Sequence, residues 1–173
     1  VQAAAQRAIQ DGRSQYTQAT GLPALREAIS GWYAGRFGLA IDPDRIVVTA
    51  GASAALQLAC LALIEAGDEV LMPDPCYPCN RQFVQAAEGT PVLLPSGPQE
   101  RFQLSADQVE AAWKPSTRGV LLASPSNPTG TSIARAELER IARFVHGKGG
   151  VTLVDEIYLG LSYDDAYGHS ALG

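Results

Sequence analysis

Five short apolar segments that alternate with longer amphipathic ones constrain the fold of this chain more than any other feature. Several of them are apolar throughout, which is typical of strands that are covered on both faces of a sheet. Strands that alternate with helices indicate βαβ units and therefore a parallel sheet. The predicted strands are 45–50 (RIVVTA), 69–74 (EVLMPD), 90–95 (TPVLLP), 119–124 (GVLLAS) and 151–156 (VTLVDE). The sequence predicts the α/β class, as a three-layer α/β/α fold around a mainly parallel sheet.

The segments between these strands carry helix signals. Pro23 suits the first turn of a helix, and Ser105 with Gln108 forms a capping box that starts another. Gly67 is placed to end the apolar helix that follows the first strand. The predicted helices are 1–10, 23 onward, 52–66, 78–88, 105–113 and 135–148.

Composition excludes several classes of function. The 173 residues carry a net charge of −5 and contain no lysine- or arginine-rich block, so neither nucleic acid nor an anionic membrane is an expected partner. The longest apolar run, near 56–64, is too short to span a bilayer. Three cysteines do not make a disulfide scaffold in a chain of this length. We expect a cytoplasmic protein with one domain over 1–173.

The segment Cys76-Tyr77-Pro78-Cys79 has the spacing of a redox dithiol or of half a metal site. No second cysteine pair exists for zinc, and Cys60 with the two histidines does not complete a four-ligand set. No metal site is predicted. A thiol pair before a helix can be reactive, whereas small, soft packing residues are the plainer interpretation.

The loops after the strands hold the candidate site residues, because ligands of open α/β sheets bind beyond the carboxyl ends of the strands. Gly51-Ala52-Ser53 opens a helix, where backbone N–H groups favour a phosphate. A plain strand-to-helix turn with a serine cap explains the same residues. The segment is neither a dinucleotide fingerprint nor a Walker loop.

Two polar residues stand at the ends of later strands. Asp155 ends an apolar strand, and a buried carboxylate needs a cationic or hydrogen-bonding partner. A helix cap or a local salt bridge would satisfy it equally well. Asn127 lies between Pro125 and Pro128, where an asparagine is common in turns.

Taken together, these motifs resemble the class I/II aminotransferases, pyridoxal-phosphate enzymes of fold type I. The segments that carry the resemblance are YTQATGLPALREAI, VTAGASAALQL, DPCYPCN, SPSNPTG and VDEIY, in the order and at about the spacing of that family. The resemblance covers nearly the whole chain. It implies the large-domain fold of that family and the transfer of an amino group from an amino acid to a 2-oxo acid through Schiff-base intermediates.

The resemblance also implies a role for each matched residue. Gly51, Ala52 and Ser53 match the positions that hold the cofactor phosphate. Tyr77 matches the aromatic residue that stacks on the pyridine ring, and Asp155 matches the carboxylate that pairs with the ring nitrogen. The remaining matches are Asn127 and Tyr158, which bond the ring oxygen, with Asn127 also at the substrate carboxylate, and Tyr16, which reaches the phosphate in the neighbouring subunit of a homodimer.

The family's Schiff-base lysine lies beyond the DEIY strand and is not in this chain. Lys114 and Lys148 are the only lysines, and both are expected on the surface. We therefore expect an incomplete large domain without the small domain, inactive by itself. Three alternatives remain open: another fold type I enzyme such as a carbon–sulfur lyase, a cofactor-sensing domain of a transcription regulator, and a phosphate-binding module.

Overall fold

In the computed structural model, which describes residues 1–161, 163 and 168–173, helices and parallel strands alternate from residue 52 onward. The helices are α1 Gln2–Gln10, α2 Pro23–Phe37, α3 Ala52–Leu63, α4 Cys79–Ala86, α5 Ala106–Ala112 and α6 Arg135–Gly147, with a 3-10 turn at Pro43–Arg45. The strands are β1 Glu69–Asp74, β2 Thr90–Pro95, β3 Thr117–Ala123 and β4 Val151–Asp155. By the density of contacts, the chain divides into two compact units, Val1–Thr49 and Ala50–Gly173. The assignment of 1–173 to one partial domain stays a prediction.

The second unit is built on a four-stranded sheet of order β2-β1-β3-β4, in which every pair is parallel. Side chains alternate between its two faces, as the pleat requires. Leu71, Val120 and Leu122 lie in one buried cluster with residues of α5 and α6. Met72 and Leu121 lie in a second cluster with residues of α3 and α4. Helices therefore cover both faces, and the predicted three-layer α/β/α fold is confirmed.

The predicted strand at 45–50 is wrong. Residues Pro43–Arg45 form a 3-10 turn, and no strand of the described residues pairs with the segment that follows. The Val48 N–H donates instead to the Thr20 carbonyl at 2.9 Å. Apolar, β-branched residues supply the propensity for a strand, but a strand forms only where a neighbour accepts its backbone hydrogen bonds.

The helix predicted over 52–66, with Gly67 as the residue that ends it, stops before residue 66. Its last residue is Leu63, because Ile64 already has an extended backbone with φ −114° and ψ 136°. Gly67 adopts a φ of 92° three residues later, in the turn that leads to β1. The capping box of Ser105 and Gln108 at the start of α5 is confirmed.

The edge strand β2 places its two prolines where they remove no hydrogen bond of the sheet. The amides of Thr90 and Ser96 donate towards β1, to Asp68 and Asp74. Alternate residues of a strand direct their N–H groups to the same side. Pro91 and Pro95 therefore occupy positions whose N–H groups would point away from the sheet.

Gly119 of β3 pairs with Val151 of β4. A Cβ atom added at Gly119 would overlap the Val151 carbonyl oxygen and lie 2.7 Å from its Cγ2. Only glycine allows this separation of the strands.

Among the described residues, no helix is both long enough and apolar enough to cross a lipid bilayer.

Candidate active site

The carboxyl ends of β1, β3 and β4 and the amino end of α3 meet at one edge of the sheet, around a cleft of about 120 Å³. Its lining is Ala52, Ser53, Leu56, Tyr77, Ala123, Pro125, Asn127, Asp155, Ile157 and Tyr158. The structure therefore brings together six residues that the sequence predicted separately. Gly51, a seventh, directly precedes this group as the residue before α3.

The amino end of α3 offers backbone donors to the cleft. Gly51 has a φ of 89°, which favours glycine, and no side chain caps the helix. The first helical hydrogen bond is donated by Ala55 to the Gly51 carbonyl at 3.3 Å. The first turn carries no acidic residue. Amides of a first turn and the positive end of a helix dipole favour an anion.

Tyr77 lies between β1 and α4 along the chain and lines the cleft. The Cys79 thiol and the Ser53 hydroxyl lie beside its phenol. The Cys79 contact is the largest cause of a raised pKa of the Tyr77 phenol, and the Ser53 contact opposes it. Tyr77 and Ser53 line the same cleft, at the end that favours an anion.

Asn127 is carried by a loop that is closed by its own hydrogen bonds. The Ser126 amide donates to the Thr131 carbonyl at 2.9 Å, and the Gly130 amide donates to the Ser126 carbonyl at 2.8 Å. The Ile133 amide donates to the Ser124 hydroxyl at 3.0 Å. These bonds turn the chain sharply after β3, so that Asn127 lines the cleft.

Asp155 ends β4 with its carboxylate at the cleft. One oxygen, Oδ1, accepts from the Ile157 amide at 3.0 Å, which leaves Oδ2 for a ligand. The Asp155 carbonyl accepts from the Ser124 amide at 3.0 Å, and this bond ties the ends of β3 and β4 together. Tyr158 follows in the next turn, with 37% of its surface exposed.

Tyr16 belongs to the first unit and is fully exposed. Its contact with a neighbouring subunit stays a prediction. The sequence did not indicate a second recess of about 380 Å³, which shares Pro125, Asn127 and Tyr158 with the cleft and is also lined by Leu161 and Tyr163. The sequence signal that could have indicated Leu161 and Tyr163 as lining residues is their position soon after the DEIY segment.

The cysteines differ in their surroundings. Cys60 and Cys76 are buried, Cys79 is partly exposed, and all three are free thiols. Burial raises the pKa of the Cys60 and Cys76 thiols. In the part of the chain that the structure describes, no group of three or more His, Cys, Asp or Glu side chains is placed to hold a metal ion.

Comparison with known proteins assigns the chain to a family. The family described as aminotransferase class I and II matches residues 1–172. The chain belongs to this family. The valine–pyruvate aminotransferase of Mycobacterium tuberculosis is 43% identical over 166 residues, which are 96% of this chain and 42% of that relative.

Solved aminotransferase structures have the same fold. The crystal structure of an aminotransferase from Mycobacterium tuberculosis has a TM-score of 0.90 and 42% identity, over 95% of this chain and 42% of that one. The aspartate aminotransferase from Thermus thermophilus with maleate has a TM-score of 0.92 and 32% identity, over 98% and 44%. This aminotransferase-family chain thus has the fold type I architecture and spans less than half the length of these relatives.

Proposed function

We propose that this chain is the cofactor-binding part of a pyridoxal-phosphate-dependent aminotransferase that transfers an amino group from an amino acid to a 2-oxo acid. The observation that carries the proposal is the cleft at the carboxyl ends of the strands. It gathers an uncapped helix terminus, an aromatic ring, an amide, a phenol and a carboxylate. These groups match the two ends of the cofactor, which is a phosphate ester at one end and a pyridine ring at the other.

The phosphate end of the cofactor fits the amino end of α3. A phosphate there would accept from the amides of the first turn and from the Ser53 hydroxyl. No acidic residue lies in that turn, so no carboxylate of the turn itself offsets the positive end of the helix dipole. Tyr77, which lines the cleft with Ser53, would pack against the ring that carries the phosphate.

The ring end of the cofactor fits the residues after β3 and β4. Pyridoxal phosphate supplies, when bound, an electron sink for charge that develops at the α-carbon of an amino acid. The Asp155 carboxylate would hold a proton on the ring nitrogen, because an adjacent negative charge raises the pKa of that nitrogen. The Asn127 amide and the Tyr158 hydroxyl would donate to the ring oxygen.

Neither lysine of the chain reaches this cleft. The Lys114 ammonium lies 3.1 Å from Glu69, the first residue of β1, and the Lys148 ammonium lies over the Phe144 ring. Both precede the amino ends of strands, whereas the cleft lies at the carboxyl ends, roughly 15 Å away for strands of five residues. The chain by itself would therefore bind the cofactor non-covalently and without turnover, and the lysine would be supplied by the rest of the parent enzyme.

Binding of pyridoxal phosphate to the isolated chain, followed by absorbance, tests the proposal. We expect Asp155→Asn to raise Kd at least about tenfold, because a charge-assisted hydrogen bond is worth about 1.5–3 kcal/mol. Asp107→Asn is the matched control, since Asp107 is exposed on α5 and pairs with Arg140 away from the cleft. Equal affinity of the Asp155→Asn variant and the unchanged chain would contradict the proposal.

Borohydride reduction with the cofactor provides a second measurement. We expect no pyridoxyl adduct at a single lysine, and a specific adduct on Lys114 or Lys148 would contradict the assignment. The homodimer and the cytoplasmic location expected from the sequence are part of the same proposal. The amino donor is left unassigned, because the relatives include enzymes named for valine–pyruvate and for aspartate/prephenate.

A further inference from the structure

Gln103 connects the active-site loop to the body of the sheet. Gln103 lies between β2 and α5, and only 4% of its surface is exposed. Its amide nitrogen Nε2 donates to the Ala123 carbonyl at 3.1 Å and to the Thr131 carbonyl at 2.9 Å. Ala123 is the last residue of β3 and Thr131 follows Gly130, so one amide joins the two sides of the loop that carries Asn127.

The contact of Gln103 differs in kind from the loop's own hydrogen bonds. The bond from Ser126 to Thr131 and the bond from Ile133 to the Ser124 hydroxyl close the loop within itself. Gln103 is 20 residues from Ala123 and 28 from Thr131, and it therefore fixes the closed loop relative to a separate segment. The Thr131 carbonyl accepts from both Ser126 and Gln103, which uses both of its lone pairs.

The hydrogen bonds that the Gln103 amide donates explain why a polar side chain is buried at this position. Its oxygen Oε1 is buried and has no hydrogen-bond partner among the described residues. A buried acceptor without a partner is unfavourable for folding. A methionine would fill nearly the same volume without that cost, so the amide contributes through its N–H groups.

We propose that Gln103 is a positioning residue of the active site, which clamps the 124–131 loop so that Asn127 lines the cleft. The effect of the clamp on the cofactor rests on the proposed function, whereas the clamp itself does not. Gln103 does not line the cleft. It acts through the loop that holds Asn127.

Amide hydrogen exchange of the chain tests the clamp without reference to the cofactor. In Gln103→Met, the two donors are lost and the volume is kept. We expect the amides of Ser126 and Ile133 to exchange at least about tenfold faster, while the amide of Val109 in α5 keeps its rate. Ser105→Ala is the matched control, because it removes the α5 cap two residues away without touching the loop.

A second variant separates the clamp from packing. Gln103→Glu keeps the shape but directs a carboxylate at two carbonyl oxygens. We expect it to accelerate exchange as Gln103→Met does, and to recover part of the protection at low pH, where a protonated carboxyl regains one donor. The measured quantity is the protection of the Ser126 and Ile133 amides relative to their intrinsic exchange rate at each pH. If Gln103→Glu loses the same protection at low pH as at neutral pH, a role for the donors is contradicted.

Pyridoxal phosphate affinity, measured on the same variants, relates the clamp to the site. We expect Gln103→Met to raise Kd several-fold and Ser105→Ala to leave it unchanged. Unchanged exchange at Ser126 and Ile133, or equal acceleration throughout the second unit, would overturn the clamp. Selective acceleration with an unchanged Kd would overturn its role in the site. Selective acceleration in a chain that does not bind the cofactor would support the clamp and contradict the proposed function.

Discussion

Replacing Gly119 with alanine tests whether the spacing of β3 and β4 is set by the missing side chain. The added Cβ would overlap the carbonyl oxygen of Val151, which is a backbone atom held by the strand pair. Since a backbone atom cannot rotate away, the two strands must separate or slide. Overpacking of this kind costs about 1–3 kcal/mol. The reduced entropy of the unfolded chain returns about 0.5–1 kcal/mol.

We expect Gly119→Ala to lower the free energy of unfolding by about 1–2 kcal/mol, which is a shift of roughly 0.5–1 M in the urea midpoint for an m-value of about 2 kcal/mol per M. Gly147→Ala is the matched control. An added Cβ at Gly147, the last residue of α6, would meet nothing within 4 Å. The same chemical change should there raise the free energy of unfolding by about 0.5 kcal/mol.

The assay must report on the second unit alone. The chain has two tryptophans, and Trp113 packs edge-on against Phe144 within that unit, with ring centroids 5.5 Å apart. In a Trp32→Phe background, fluorescence during urea unfolding therefore follows the unit that contains Gly119. A Gly119→Ala variant as stable as the unchanged chain, or a shift of the same sign in both variants, would refute the reasoning.

Three further predictions concern the core and the rim. Leu121→Ala should lower the free energy of unfolding by about 3 kcal/mol, because Leu121 is fully buried; a urea midpoint within error of the unchanged chain would contradict this. Cys79 should react first with a thiol reagent at pH 8, and Cys60 and Cys76 slowly, because burial raises the pKa of both thiols and reduces their thiolate fraction; peptide mapping after timed labelling measures the order. Ultraviolet titration should show Tyr77 ionising above its ordinary pKa, and Cys79→Ala should move that pKa down, since the Cys79 contact is the largest cause of the rise. An unchanged titration in Cys79→Ala would assign the rise to another cause.

The sequence predicted the features of this fold that depend on local pattern. The four strands of the sheet are apolar runs of strand length, and the α5 cap needs only Ser105 and Gln108. The segment 45–50 has the same local pattern, yet its Val48 amide bonds a loop residue. The segment 45–50 differs from the four strands because no neighbouring strand pairs with it, and local pattern does not show whether such a neighbour exists.

The candidate site likewise contains residues that local pattern predicts and residues that it does not. Residues such as Asn127 and Asp155 stand in motifs after strands, so the rule that ligands bind at the carboxyl ends of parallel strands places them together. Gln103 stands in no motif, and its two partners lie 20 and 28 residues away. A contact of this kind becomes visible only when the tertiary structure is known.

The two prolines of β2 have a consequence for how this sheet can grow. With Pro91 and Pro95 on the outward positions, Leu93 is the one residue of β2 left with an outward N–H group. An incoming strand would find too few donors there to form a ladder. β4 (VTLVD) contains no proline, and among the described residues no strand lies on its far side. Growth of the sheet is therefore directional: a fifth strand, from this polypeptide or from another, can be added beside β4 but not beside β2.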